Sequence, residues 1–244
     1  MPKLGFCSRS HAVQRIIEGR VTLNGSVCRN VQAPIRTSRD VIAVDGSAIV
    51  APAKIYLMLN KPRGVVTTAA DERGRSTVYD CLRDTPLPST WVAPVGRLDK
   101  ASEGLLLLTN DSEWGARIAA SATHSDKTYH VQIAVIADDP LITALKKGIV
   151  EDGEVLRARS AGLLRHGGKN SWIEVLLDEG KNRHIRRMLA ALNIEVLRLV
   201  RVAIGPLQLG ELPKGQSRPL TREEKLALDR AMAVSRVGSK ISCG

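Results

Sequence analysis

The chain has 244 residues, 43% of them hydrophobic, enough for one large domain or a mid-sized domain with a small companion. Its 36 Lys and Arg outweigh 25 Asp and Glu, and the net charge of +11 points to a polyanionic partner. With aromatics at 3%, a broad stacking platform for single strands is excluded, although one or two rings in a pocket are not.

Residues 8–18 read as a helix N-capped by Ser8, with Arg9, His11, Gln14 and Arg15 on its polar face. Gly19 ends it. Arg20-Val21-Thr22-Leu23 alternates as a strand into the hairpin dipeptide Asn24-Gly25, and Val41-Ile42-Ala43-Val44 runs into a second, Asp45-Gly46. Ala51-Pro52-Ala53-Lys54 reads as a linker, so a small α/β domain over residues 1–50 precedes a larger one over 55–234. The larger opens with a buried-type strand, Ile55-Tyr56-Leu57-Met58-Leu59, and the turn Asn60-Lys61-Pro62-Arg63-Gly64.

The centre of the chain is Gly96-Arg97-Leu98-Asp99, four spacer residues, then Gly104-Leu105-Leu106-Leu107-Leu108-Thr109-Asn110-Asp111. Four leucines between turn residues predict a short strand buried on both faces, not an amphipathic helix. A carboxylate on a polar loop feeding such a strand is held by the core while its oxygens stay reachable. That geometry suits Asp99 to catalysis; a turn or salt-bridge role is the plainer alternative.

Further on, a helix is expected over 113–120 and a strand over 127–135, alternating through Tyr129, Val131 and Ile133. Pro140 opens a helix to about Lys147, closed by Gly148. Strands follow over 155–161, 171–177 and 196–204, with a helix from about Asn182 to Leu192 before the last. Thr221-Arg222-Glu223-Glu224 is a capping box for a helix to about Val234, and residues 235–244 are expected to be a loose tail. Strands interspersed with a few helices predict an α+β fold with a mixed, mainly antiparallel sheet. On the helix from Asn182, Arg183, Arg186 and Arg187 would share one face. His184 reads as a packing or RNA-facing residue, not a general base.

Several of these stretches resemble a known family. The Gly-Arg-Leu-Asp loop with its leucine strand, the Asn-Lys-Pro-x-Gly turn at Asn60, and Glu179-Gly180-Lys181-Asn182-Arg183-His184-Ile185-Arg186-Arg187-Met188 are similar to motifs of the RsuA-like pseudouridine synthases that modify bacterial ribosomal RNA. Gly19-Arg20-Val21-Thr22-Leu23-Asn24-Gly25, after its helix, resembles the S4 RNA-binding domain. The resemblance implies a pseudouridine synthase fold behind an S4-type domain whose first helix is truncated or absent, since only Met1 to Phe6 remain for it. It implies Asp99 as the indispensable catalytic residue, Arg186 as its partner and Tyr129 as the ring stacked on the target base. Arg97, Leu98 and Leu199 are expected to line the uracil pocket. RNA contacts are expected from Arg9, Arg15, Arg20, Lys61, Arg183 and Arg187, a structural role being the alternative for the last two.

Pseudouridine formation moves the ribose bond from N1 to C5 of uracil. Nothing is oxidised and no group is added, so neither cofactor nor metal is expected. Asp99 would act as nucleophile, or as base in a glycal route. The expected partner is ribosomal RNA, large-subunit rather than small-subunit or transfer RNA, bound by a monomer. The four cysteines are too scattered for zinc or a disulfide scaffold, and neither a signal peptide nor a membrane-length apolar run is visible, so a cytoplasmic setting is expected. Two rivals are an inactive RNA-binding or ribosome-assembly factor and an RNA methyltransferase. The intact Asp99, Tyr129 and Arg186 set opposes the first, and the lack of any Gly-x-Gly opposes the second.

Overall fold

The computed structural model describes residues 1, 6–36, 39–50, 52–69, 71–83, 85, 90–120 and 126–238. Its N-terminal unit consists of α1 (Arg9–Ile17) and four short strands, β1 (Val21–Leu23), β2 (Ser26–Val27), β3 (Ile42–Val44) and β4 (Ser47–Ala48), in the order β2-β1-β3-β4. Ser8 caps α1, its hydroxyl accepting from the His11 amide at 3.2 Å. Asn24-Gly25 and Asp45-Gly46 carry positive φ, as two-residue hairpin turns require. Met1, Cys7, Ala12, Val21, Ile42 and Val44 form the small core. The expectation of a truncated first helix falls largely on residues 2–5, outside the described residues.

The second unit is built on a nine-stranded sheet. Its strands are β5 (Tyr56–Lys61), β6 (Ala93–Val95), β7 (Glu103–Thr109), β8 (Lys127–Ile133), β11 (Ser160–His166), β12 (Ser171–Leu177), β13 (Val196–Ile204), β14 (Leu207–Gln208) and β15 (Ser217–Pro219). They run β11-β12-β8-β13-β7-β5-β15, with β14 beside β13 and β6 beside β7. A separate hairpin joins β9 (Ile149–Glu151) to β10 (Glu154–Leu156), and four helices complete the unit: α2 (Ser112–Ala119), α3 (Asp139–Lys147), α4 (His184–Ala191) and α5 (Arg222–Gly238). Within the large sheet every strand pairing is antiparallel except β7 with β13. The α+β expectation is met. No helix among the described residues is long and apolar enough to cross a membrane.

Strand β7 is buried on both faces, as four consecutive leucines require. Leu105 and Leu107 pack with Trp114 and Ile118 of α2 and with Leu228 and Met232 of α5. Leu106 and Leu108 pack with Leu57, Leu59, Val78 and Leu98 on the other side. Each leucine buried this way contributes about 2 kcal/mol of transfer free energy. The Trp114 indole donates to Asp229 at 2.9 Å and so fastens α5 to α2.

Several boundaries differ from expectation for local reasons. Helix α3 starts before Pro140 because the Asp138 carboxylate caps it, accepting from the Leu141 amide at 2.9 Å. The single strand expected over 155–161 is divided between β10 and β11; Asp152 and Gly153, both with positive φ, turn the chain just before it. Helix α4 begins at His184, later than expected, because Arg183 adopts a left-handed conformation (φ 48, ψ 31). Helix α5 continues to Gly238, into the expected tail, whose last residues, 239–244, lie outside those described.

Candidate active site

The parallel pairing of β7 with β13 creates the site. Parallel strands begin at the same edge of a sheet, so the segments feeding them arrive side by side. Here the segments are the loop 96–102 ahead of β7 and helix α4 ahead of β13, with Glu103 opposite Val200 and Gly104 opposite Arg201. On the other flank of β13, antiparallel β8 sets Tyr129 opposite Arg201. Four distant stretches of chain thereby line one cleft of about 310 Å³, at the small end of ligand pockets.

The loop that carries Asp99 is held by its own main chain. Five consecutive carbonyls are each taken by a donor from elsewhere. Leu98 O accepts from Thr67 Oγ1 at 2.8 Å, and Asp99 O and Ser102 O accept from Lys61 Nζ at 3.1 and 2.8 Å. Lys100 O accepts from the Gly64 amide at 2.8 Å, and Ala101 O from Arg186 Nη2 at 3.0 Å. The Asp99 side chain is exposed at the cleft and, among the described residues, has no hydrogen-bond or ion-pair partner. The carboxylate is positioned yet uncommitted.

Arg186 lines the cleft from the first turn of α4. Its Nε is buried without an acceptor. Burial pulls the guanidinium below its ordinary pKa, while the charge of Asp99 acts in the opposite sense. The two side chains share the cleft and attract one another, but the expected ion pair is not closed: no Asp99–Arg186 contact lies within 4 Å. Tyr129 is half-buried, packs between two of the hydrophobic clusters, and leaves its hydroxyl without a hydrogen bond among the described residues. Leu98 and Leu199 are buried and Arg97 is exposed; all three line the cleft as expected.

The other basic residues divide. Arg183 is exposed and lines the cleft, but it precedes α4 in a left-handed turn and so does not share a helix face with Arg186 and Arg187. Arg187 is tied to Glu151 and, at 2.8 Å, to Glu154 of the β9–β10 hairpin, which is a structural clasp. Lys61 is fully buried, and burial pushes its ammonium down to about 8. The RNA contact expected of it is corrected to a structural role, because the ammonium faces the carbonyls of the Asp99 loop and not solvent. In the N-terminal unit Arg9 is exposed, Arg15 lies over the Phe6 ring at 5.3 Å, and Arg20 forms two hydrogen bonds to Asp45 at 2.8 and 2.6 Å.

Folded proteins pair nearly all their buried polar atoms. The exceptions among the described residues are Ser102 Oγ, both ring nitrogens of His184, Arg186 Nε and Arg201 Nη2, and all four residues line this cleft. Buried polar atoms without a partner are thus concentrated around this cleft. His184 is buried, as a packing residue would be, and burial lowers its pKa. Sequence reasoning passed over Lys127 and Arg201, both buried in the cleft wall. The available signal was parity: Lys127 is two residues from Tyr129, and Arg201 two from Leu199, hence on the same strand faces.

A mixed sheet whose one parallel seam presents a free carboxylate beside a base-sized cleft, behind a small basic domain, defines an enzyme acting on nucleic acid. Residues 55–191 match the RNA pseudouridylate synthase family and residues 3–42 match the S4 domain. The chain belongs to the RNA pseudouridine synthases, in the RsuA-like group that carries an N-terminal S4 domain. It is 35% identical to an uncharacterized RNA pseudouridine synthase of Aquifex aeolicus, over 98% of this chain and 96% of that one. It is 36% identical to ribosomal large subunit pseudouridine synthase B of Bacillus subtilis, over 94% and 93% of the two chains. A crystal structure of a pseudouridylate synthase superimposes with a TM-score of 0.65 at 32% identity, covering 93% of this chain and 95% of that one.

Proposed function

We propose that this enzyme isomerises one uridine of large-subunit ribosomal RNA, with Asp99 as the nucleophile. The observation that carries the chemistry is the clamped loop: five anchored carbonyls and an unpaired carboxylate at the cleft. The name of the Bacillus subtilis relative, similar along nearly the whole chain, supports the choice of RNA. Exposed Arg9 and Arg183 are suited to phosphate, and an S4 domain supplies the RNA-binding module.

A stacked uridine hides the atoms that react, so the target must leave the helix, at a cost of a few kcal/mol. Phosphate contacts offset that cost. Asp99 attacks ribose C1′, and the electron pair of the C1′–N1 bond departs with the base. The base turns while Tyr129 and Leu199 confine it. Its C5 then attacks C1′, the Asp99 oxygen leaves with its pair, C5 loses a proton and N1 gains one. Arg186 attracts the carboxylate across the cleft and so helps to aim it. Mapping pseudouridines in ribosomal RNA from cells with and without the protein tests the target. One large-subunit site should vanish in its absence; a loss confined to small-subunit RNA would overturn the assignment.

The role of Tyr129 yields a graded prediction. Its hydroxyl holds nothing in the fold, so Tyr129→Phe should keep the stacking surface and lose mainly any help in removing the C5 proton. Tyr129→Leu removes the ring, whose stacking on a base is worth about 1–3 kcal/mol. Single-turnover rates should therefore fall in the order wild type, Phe, Leu. The reverse order for the two variants would rule out stacking.

A further inference from the structure

We propose that Lys127 and Arg201 form a cationic hole that stabilises the uracil anion at the moment the base leaves the ribose. Both side chains are buried, 9% and 5% exposed, and both line the cleft that contains Asp99 and Tyr129. Register brings them together: Lys127 and Tyr129 share a face of β8, and Arg201 lies opposite Tyr129 on β13. Among the described residues no carboxylate comes within 4 Å of either cation. Arg201 donates its Nε to Leu105 O at 2.7 Å and leaves Nη2 buried and unpaired. Burial, and after it the positive charge of Arg201, make Lys127 harder to protonate than a free lysine, while the charges of Asp126 and Asp178 act in the opposite sense.

Two like charges buried side by side, with Asp126 and Asp178 acting on Lys127 only from beyond ion-pair distance, are costly to the fold, and an anion in the cleft offsets that cost. The reaction itself produces one. When the C1′–N1 pair departs with N1, the base carries one negative charge delocalised over N1, O2 and O4; the ribose carbon is taken by the Asp99 oxygen. Cations already fixed where that charge appears lower the barrier without reorganising. Phosphates stay outside on the ribose, where exposed Arg97 and Arg183 are available. Lys127 and Arg201 therefore stabilise the leaving group, whereas Asp99 and Arg186 act on the sugar. This inference rests on the breaking of the glycosidic bond in this cleft, as proposed above.

The test is Lys127→Met in single turnover on large-subunit ribosomal RNA transcripts carrying either uridine or 5-fluorouridine, read as breakage of the C1′–N1 bond, because fluorine at C5 blocks the final proton loss. 5-Fluorouracil is the more acidic base and needs less help to leave as an anion. The uridine rate should fall by about 10²-fold, the usual effect of removing one such donor, and the fluorouridine rate by a smaller factor. Lys127→Arg should recover most of the loss. Because the buried unpaired charge is gone, the melting temperature of Lys127→Met should rise as its rate falls, which a merely structural lysine would not produce. Should Lys127→Met fold poorly, Lys127→Gln carries the same substrate comparison. Equal losses on both RNAs would overturn the proposal. If the wild type converted neither transcript, the ribosomal-RNA reading would fall and this inference with it.

Discussion

Asp99→Asn should abolish pseudouridine formation, by at least about 10⁴-fold in single-turnover rate, the scale on which enzymes lose activity when a nucleophile is removed. The amide has nearly the same shape as the carboxylate but cannot deliver an anionic oxygen to C1′. Stability should stay within about 0.5 kcal/mol of wild type, because the side chain is exposed and has no hydrogen-bond partner among the described residues. The loop is fastened through the carbonyls of Leu98 to Ser102, which the substitution leaves in place. RNA affinity should likewise persist, since it comes from phosphate contacts elsewhere. Melting curves, RNA binding and tritium release from C5-labelled uridine measure the three quantities separately. Turnover within tenfold of wild type would remove Asp99 from the reaction centre.

The contrast between Asp99 and Lys61 shows what a sequence makes legible. The local pattern at Asp99, a polar loop feeding four leucines, suggested anchorage and access but suited a turn residue as well, and it was the resemblance of the whole run to a family motif that singled it out. Lys61 stands in an Asn-Lys-Pro-x-Gly turn that reads as surface, so a phosphate contact was the natural expectation. Its burial follows from long-range partners, the carbonyls of Asp99 and Ser102 some forty residues away, which no local period encodes. Arg187 is similar: helical spacing groups it with Arg186, while its acceptors sit on a hairpin made by the turn at Asp152-Gly153. The strands themselves were mostly visible because alternation and apolar runs are local signals. Their order was not. The adjacency of β7 and β13, and the parallel direction that makes the cleft, emerge only when the whole sheet is assembled.

That seam is also where a single added methyl group should do most damage. Gly104 has φ +102, and a Cβ built there would lie 2.2 Å from Arg201 O and 2.8 Å from Arg201 N. Both are backbone atoms of the neighbouring strand and neither can swing aside. Gly104→Ala must therefore push β7 away from β13 in the middle of the sheet or distort both, besides adopting a conformation that L-residues disfavour. The expected cost is at least about 4 kcal/mol, in the range reserved for core disruption, and enough to unfold a marginal domain. Gly96→Ala supplies the comparison. It has φ +72 at the start of the Asp99 loop, but an added Cβ meets nothing within 4 Å. That variant bears only the conformational strain, about 1–2 kcal/mol. Chemical denaturation of both separates close approach from backbone strain. If Gly104→Ala proved no less stable than Gly96→Ala, the tight β7–β13 seam would be wrong. Asp99, Arg186 and Tyr129 would then have no common cleft.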